Sequence, residues 1–411
     1  MKLILSSVAL ALAVASTAAG AQQTTANAPK KPAAEAQSPE NAIKVSPKAL
    51  KAIGELQTAV NAKDVANIPA KGAAAKAVAT TNEDRYWIAR LELKAAVDAN
   101  DKAGLAAAVD SLAATGLASH ADLGSLYSVV GGNAFDAKQY DAAAAAFERE
   151  AAVDPNNASA LVNLAVARSA GGHKAEAVGA LQQAIQASNA AGKKADEKVY
   201  RQAVGIAYEA NLPSAVALSQ TWVTAYPSPE SWRNAIAIYR NETHQDGEGT
   251  LDLLRLMQAT GAMQKPTDYA LFVNADLDQQ NYSEAQAVID AGIAAHVVDP
   301  ASADFHQLVA ELRSKPKTTP ADLNAALKMS PSGINLLHIG DRFYATSDYA
   351  KAAEIYRQTM GKAGVDPDLS NLHLGMALIR SGDKAGATAA FKAVTGARAD
   401  IAKLWLIYAQ Q

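Results

Sequence analysis

The feature that most constrains this 411-residue chain is a repeat of about 34 residues that occurs towards both ends of the sequence. A shift of 34 maps Gly131 onto Ala165, and a shift of 35 maps Gly340 onto Gly375. In each repeat an alanine follows the small residue after 12 positions, and a bulky residue follows it after 16. This spacing occurs in Gly131/Ala143/Phe147, Gly340/Ala352/Tyr356 and Gly375/Ala387/Phe391. Units of this size cannot bury an apolar face alone, so several must stack.

The spacing within each repeat predicts two helices joined by a tight turn. Bulky residues three apart, such as Tyr127 and Val130, form a stripe on one helix face. Residues 137–139 and 381–383 have the composition of turns that reverse the chain. Small residues let the two helix axes approach closely, and Pro155 ends the second helix.

These residues resemble the tetratricopeptide repeat, a helix–turn–helix unit of the same length. One copy of its pattern is Tyr127, Val130, Gly131, Tyr140, Ala143, Phe147 and Pro155, and another is Leu336, Ile339, Gly340, Phe343, Tyr349, Ala352 and Tyr356. The resemblance implies an all-α fold, an α-solenoid of stacked repeats forming a right-handed superhelix. It also implies a concave wall, built mainly by the first helices, that holds a peptide or a helix of a partner protein. A globular helical bundle is the rival fold, but it requires no such period.

The chain is expected to have five parts. They are a signal peptide at 1–21, a disordered linker at 22–46, a degenerate helical region at 47–118, repeats at 119–398 and a C-terminal capping helix at 399–411. The repeats are clear at 124–157, 158–191, 333–366 and 368–398, and degenerate at 196–332.

The segment 1–21 has the layout of a secretory signal. Lys2 precedes a short apolar run, and Ala19, Gly20 and Ala21 form a small-residue cleavage site. The run is shorter than the roughly 20 apolar residues of a membrane span. We therefore expect a periplasmic or secreted protein with no membrane span in its mature form. It is not expected to be a lipoprotein, because the chain has no cysteine.

Composition and motifs argue against several classes of function. With 38 basic and 41 acidic residues, the chain lacks the basic excess of a nucleic-acid-binding protein. The absence of cysteine excludes disulfides and thiol nucleophiles. The sequence contains no phosphate-binding loop, no nucleophile elbow and no zinc-protease motif. We therefore expect a non-enzyme without cofactor or metal.

Two of the seven histidines, His338 and His373, each precede a repeat glycine by two positions. Equivalent positions on stacked helices predict that these side chains face each other, share an anion or fill space between repeats. A metal site is not expected, since it normally needs about three or four ligands.

The resemblance implies groove-facing positions at fixed distances after each first-helix anchor. The candidate partner-binding residues are Tyr200, Tyr208, Arg233, Arg240, Asn274, Asp341 and Tyr344. Aromatic and arginine side chains often dominate binding energy. The alternative is that the tyrosines are core residues and the arginines only solvate a helix.

The expected function is therefore an exported scaffold that binds protein or peptide, with cell-envelope assembly or maintenance as a candidate context. The chain departs from repeats that grip a terminal carboxylate, because only Asn163 supplies the amide that those repeats use. The alternative function is a glycan- or small-solute-binding module in the degenerate central repeats, using aromatic side chains such as Trp222 and Trp232.

Overall fold

The structure is a computed structural model that describes residues 43–316, 318–329 and 331–411. All regular elements of these residues are helices, which confirms the predicted all-α class. In chain order they are α1 (Leu50–Asn61), α2 (Ile68–Val78), α3 (Asn82–Asp98), α4 (Lys102–Ala113), α5 (His120–Asp136), α6 (Tyr140–Val153), α7 (Ala158–Ala170), α8 (Lys174–Ala190), α9 (Glu197–Glu209), α10 (Ser214–Ala225), α11 (Pro229–Glu242), α12 (Gly247–Ala259), α13 (Pro266–Asp278), α14 (Tyr282–Ala294), α15 (His306–Ser314), α16 (Pro320–Lys328), α17 (Gly333–Ala345), α18 (Tyr349–Thr359), α19 (Pro367–Arg380), α20 (Lys384–Lys392) and α21 (Ala399–Ala409).

The predicted signal peptide and residues 22–42 of the predicted linker lie outside the described residues. The last residues assigned to that linker contact α3: Trp87 Nε1 donates to the Ile43 carbonyl (3.0 Å), and the Ser46 amide and hydroxyl donate to Asp84. Folded contacts therefore begin by Ile43. Among the described residues, no helix combines the length and apolar surface that a bilayer crossing requires.

The chain divides into two compact units, with the boundary inside α9. The first ends at Ile206 and the second runs from Ala207 to Gln411. In the first unit, α3–α4, α5–α6 and α7–α8 are helical hairpins, and α6 also packs against α7. Consecutive hairpins are thus stacked, as the repeat predicts.

The small and bulky residues of each repeat are in contact. A Cβ atom built on Gly131 would lie 2.6 Å from Phe147 Cε1, and one built on Gly340 would lie 2.7 Å from Tyr356 Cε1. Both distances are shorter than the contact distance of two non-bonded carbon atoms. Because glycine has no Cβ, the ring can pack directly against the backbone of the first helix. The predicted reason for the small residue is therefore confirmed.

The turns repeat with the same period as the side chains. Lys138 and Gly172, one period apart, have φ angles of 60° and 88°. Ser347 and Gly382, also one period apart, have φ angles of 63° and 93°. One residue in the left-handed region thus reverses the chain in each of these hairpins, and Lys138 and Gly382 lie in the two turns predicted at 137–139 and 381–383.

The second unit contains the hairpins α13–α14, α17–α18 and α19–α20, and α14 contacts α17 as well as α15. Its helix α12 differs from a repeat helix, because all residues from 251 to 257 are buried. Two of them, Asp252 and Arg255, are charged. A helix buried on every side lies inside the unit and not on one of its walls.

Helix α21, where the sequence predicts a cap, packs against α19, α20 and α12. The Trp405 ring stacks on Phe391 with centroids 6.1 Å apart, and its Nε1 donates to the Asp252 carbonyl. The amide of Gln411 accepts from Trp232 Nε1 and donates to the Val223 carbonyl. The C-terminus is therefore held against α10, α11 and α12 as well as the last hairpin.

Candidate functional site

Three of the seven predicted groove residues lie in the interior. Tyr200 in the first unit is 3% exposed, and Asp341 and Tyr344 in the second are each 7% exposed. A partner therefore cannot reach these side chains in this conformation. The alternative weighed from the sequence, that Tyr200 is a core aromatic, agrees with its burial.

Two of the predicted residues are exposed on the second unit. Tyr208 lies at the surface, and its hydroxyl accepts a hydrogen bond from Asn241 Nδ2 at 2.9 Å. Asn274 on α13 is exposed as well. Partner binding by these two side chains stays a prediction.

The two predicted arginines both interact with the carboxylate of Asp268. Arg233 forms an ion pair with Asp268 at the start of α13. Burial lowers the pKa of the half-buried Arg240, and the charge of Asp268 opposes that shift. Asp268 also accepts hydrogen bonds from the Lys265 and Gln264 amides. These contacts join α11 to the N-terminus of α13, so the arginines have a structural partner already.

Asp341 and Tyr344 belong to a cluster of buried side chains around α12. The charged members lie on four helices and are at most 7% exposed: Asp252, Arg255, Glu284, Asp341 and His373. Burying this many charges is costly unless each is paired. The cluster is therefore stable only because its charged side chains form ion pairs with one another.

The imidazole of His373 lies between two carboxylates. Its Nε2 is 3.1 Å from Asp252 Oδ1, and its Nδ1 is 2.8 Å from Asp341 Oδ1. Tyr356 donates to Asp341 at 2.8 Å. Burial acts against a charged imidazolium, but Asp252 and Asp341 outweigh it and raise the pKa of His373 to about 10. His373 is thus a cation at neutral pH and ties α19 to α12 and α17.

Arg255 is the second cation of the cluster. Its Nε and Nη2 donate to the two carboxylate oxygens of Glu284 at 2.9 and 2.7 Å, and its Nη1 donates to Asp252 at 3.2 Å. The guanidinium also lies over the Tyr344 ring, 5.4 Å from its centroid. A bidentate pair of this kind fixes geometry as well as charge. It joins α12 to α14.

Asp276 and Arg398 adjoin the cluster. Burial and the charge of Glu284 raise the pKa of the Asp276 carboxyl well above its ordinary value. Arg398 Nη1 lies 3.9 Å from Asp252 Oδ2 at the edge of the cluster. We interpret the cluster as a structural feature that holds α12 in place. The sequence did not reveal it, because Asp252 and His373 are 121 residues apart.

The two histidines singled out by the sequence occupy different environments. His373 is buried in the cluster, whereas His338 is exposed. They therefore do not face each other. Among the described residues, no group of three or more side chains could hold a metal ion.

The aromatic side chains invoked for a glycan site are also interior. Trp222 and Trp232 are fully buried. Neither offers a ring face to a sugar in this conformation.

The first unit has an open groove of about 580 Å³ between α6 and α8, with α7 as its floor. We call it the α6–α8 groove. Its exposed apolar surface comes from Ala152, Pro155 and Ala190, and Leu161 and Leu164 of α7 lie buried beneath. The lining residues are Glu148, Ala151, Ala152, Pro155, Leu161, Leu164, Arg168, Gln183, Gln186, Ala187 and Ala190. The resemblance places binding on the first-helix wall, whereas this groove lies between two second helices.

The rim of the α6–α8 groove is polar. Arg168 reaches Glu148 on α6 at 3.3 Å and Glu176 on α8 at 3.5 Å. Gln183 and Gln186, on the same helix α8, lie beside it. An apolar floor with hydrogen-bonding groups at its edge is the usual composition of a binding groove.

A smaller groove of about 340 Å³ has the same relation to its helices. It lies between α2 and α4 with α3 beneath, and five of its thirteen lining residues are alanines: Ala95, Ala96, Ala99, Ala107 and Ala108. The highly exposed side chain of Val65 stands at its edge.

No protein-family model and no curated protein matches this chain. Among solved structures, it is similar to a tetratricopeptide repeat protein from Parabacteroides merdae, with 12% identity, a TM-score of 0.29, and 71% of this chain and 99% of that chain covered. It is also similar to pilF of Pseudomonas aeruginosa, with 10% identity, a TM-score of 0.24, and 64% and 97% covered. With TM-scores this low, neither similarity establishes a common fold. The stacked hairpins are established by the helix contacts of the chain itself.

Proposed function

We propose that this protein is an exported, non-catalytic helical-repeat scaffold that binds a segment of another protein, and that the α6–α8 groove of the first unit is the binding site. The observation that carries the proposal is the open groove, with the exposed apolar surface of Ala152, Pro155 and Ala190 and a polar rim. The second unit has fewer side chains available for a partner, because three of the predicted binding residues there already contact other residues of the chain: Arg233, Asp341 and Tyr344.

The composition of the groove favours an amphipathic peptide segment as the partner. Ala152, Pro155 and Ala190 would contact its apolar side chains. Gln183 and Gln186 can both donate and accept hydrogen bonds, so they suit polar side chains or the backbone of a peptide. Arg168 can exchange one of its glutamate partners for an acidic group of the ligand.

Site-specific crosslinking in cells tests this assignment. A photoreactive residue at Gln183 or Gln186 is expected to capture the same protein, and Arg168→Ala is expected to reduce both yields several-fold. The same probe at Lys403, which is exposed on the other unit and is not a predicted binding residue, serves as the control, and a probe at the predicted residue Asn274 tests the second unit. Capture of one protein at Asn274 and none at Gln183 or Gln186 would place the site on the second unit.

Export is a separate part of the proposal, supported by the layout of residues 1–21. Mass spectrometry of the protein from a periplasmic fraction should find a mature N-terminus at Gln22. Recovery of chains that retain Lys2 from the cytoplasm alone would contradict export.

A further inference from the structure

The seam between the hairpins α5–α6 and α7–α8 contains a buried carboxyl group. Glu150, near the end of α6, is only 5% exposed. A shift of one repeat maps it onto Ala184, which is buried against Leu161 and Ala187 at the corresponding place on α8. The repeat therefore accepts a methyl group at this position and does not require a carboxyl for its fold.

The carboxyl of Glu150 has few hydrogen-bond partners. Ser128 on α5 supplies a hydroxyl, and Asn157 Nδ2 lies 3.5 Å from Oε1. The buried Oε2 has no hydrogen-bond partner among the described residues. Asn157 is also the N-cap of α7, since its Oδ1 accepts from the Ser159 and Ala160 amides. Glu150 thus contacts the residue at which the next hairpin begins.

No basic group compensates this buried acid in the part of the chain that the structure describes. The ionisable residues of the helices packed on either side are His120, Asp122, Tyr127 and Asp136 on α5 and Arg168 on α7. Arg168 is paired with Glu148 and Glu176, and the Tyr127 hydroxyl bonds Asp110.

The charge that acts on Glu150 is that of Asp154, in the turn after α6, and it is negative. Burial and then Asp154 raise the pKa of Glu150 to about 7, although the Ser128 hydrogen bond lowers it in part.

We propose that Glu150 makes the seam between the α5–α6 and α7–α8 hairpins sensitive to pH, closed when the carboxyl is neutral and loosened when it is ionised. An ionised carboxylate needs water or a cation, and the closed seam supplies neither. Opening the contact at Asn157 exposes Oε2 to water. Because α6 and α8 are the walls of the α6–α8 groove, the same opening alters the groove.

The direction of the pH effect follows from the linkage between proton binding and opening of the seam. The closed seam holds its proton up to about pH 7, whereas an exposed glutamate loses it near its ordinary pKa of 4.5. Between these values the open form binds fewer protons, so opening becomes more favourable as pH rises and levels off above pH 7. The opening equilibrium constant should rise by up to about tenfold per pH unit in that interval.

Hydrogen exchange of the full chain, followed by mass spectrometry from pH 5 to pH 8, tests the proposal. Comparing variants at the same pH cancels the chemical pH dependence of exchange. We expect the opening constant of α6 and α7 in the wild type, relative to Glu150→Gln, to rise about 30- to 100-fold between pH 5 and pH 7. Glu150→Ala, which copies Ala184, should behave like Glu150→Gln and gives the same comparison if the glutamine variant does not fold.

Asp136→Asn is the control, because Asp136 is an exposed acid on the neighbouring α5. It should keep the wild-type pH dependence. A constant ratio between wild type and both Glu150 variants from pH 5 to pH 8 would overturn the proposal. Loss of the pH dependence in Asp136→Asn would overturn it as well.

Discussion

At the residue scale, the hairpins α5–α6 and α17–α18 each depend on a position that has no side chain. The ring of Phe147 occupies the space that a Cβ on Gly131 would need, and Tyr356 does the same at Gly340. The glycine is thus part of the core, even though glycine inside a helix is unfavourable by roughly 0.5–1 kcal/mol relative to alanine. Close approach of the two helices outweighs that cost.

Gly131→Ala is therefore expected to destabilise the protein. Overpacking costs about 1–3 kcal/mol, and the better helix propensity of alanine returns only part of it. Gly179→Ala on α8 is the matched control, since a Cβ there would meet no atom within 4 Å. Denaturation by urea should show a loss for Gly131→Ala and no loss, or a gain, for Gly179→Ala. Equal effects would contradict the role assigned to the glycine.

His373 leads to a second prediction at this scale. Replacing it by glutamine leaves the buried Asp252 and Asp341 without their shared cation, which should cost about 3–5 kcal/mol. His338→Gln, on an exposed histidine, should change the free energy of unfolding by less than about 0.5 kcal/mol.

The contribution of His373 also has a defined pH dependence. Its folded pKa, about 10, lies above the ordinary value of 6.5, so its stabilisation is complete below pH 6.5 and is lost as pH rises through 10. Thermal melts from pH 6 to pH 10 should show this loss in the wild type and in His338→Gln. If His373→Gln followed the same curve, the loss would have to come from another group.

At the element scale, α21 is expected to support the whole second unit. Trp405 is fully buried, stacks on Phe391 and donates to the Asp252 carbonyl. Trp405→Ala should cost about 3–5 kcal/mol. Lys403→Ala, on the exposed side of the same helix, should cost less than about 0.5 kcal/mol. Chemical denaturation separates the two cases, and a small effect of Trp405→Ala would mean that α21 is dispensable.

The hairpins could be predicted from the sequence because their signals are local. The spacing of Gly131 and Phe147 is repeated at Gly340 and Tyr356, and both pairs are in contact. The left-handed turn residues Lys138 and Gly382 also lie where turns were predicted. These contacts join residues close in sequence, so a single repeat contains the information for them.

The burial of α12 could not be predicted in the same way. Two of its central partners, His373 and Trp405, lie 121 and 153 positions beyond Asp252 along the chain. The periodicity of one helix does not reveal such partners. For this reason Asp341 and Tyr344, assigned to an open wall by the resemblance, are found in the interior beside α12.

At the scale of the whole molecule, one repeat pattern serves two kinds of unit. The first unit stacks hairpins and keeps an open groove between α6 and α8. The second unit surrounds α12 with its hairpins and fastens it by buried ion pairs. This difference is why we place partner binding in the first unit.

The central claim is that neighbouring hairpins stabilise one another, and hydrogen exchange of full-length Gly131→Ala tests it most directly. Because α6 packs against α7, protection should fall in α5 and α6 and also in α7. Gly179→Ala should leave all three helices as protected as in the wild type. A loss confined to α5 and α6, with α7 unchanged, would contradict the claim.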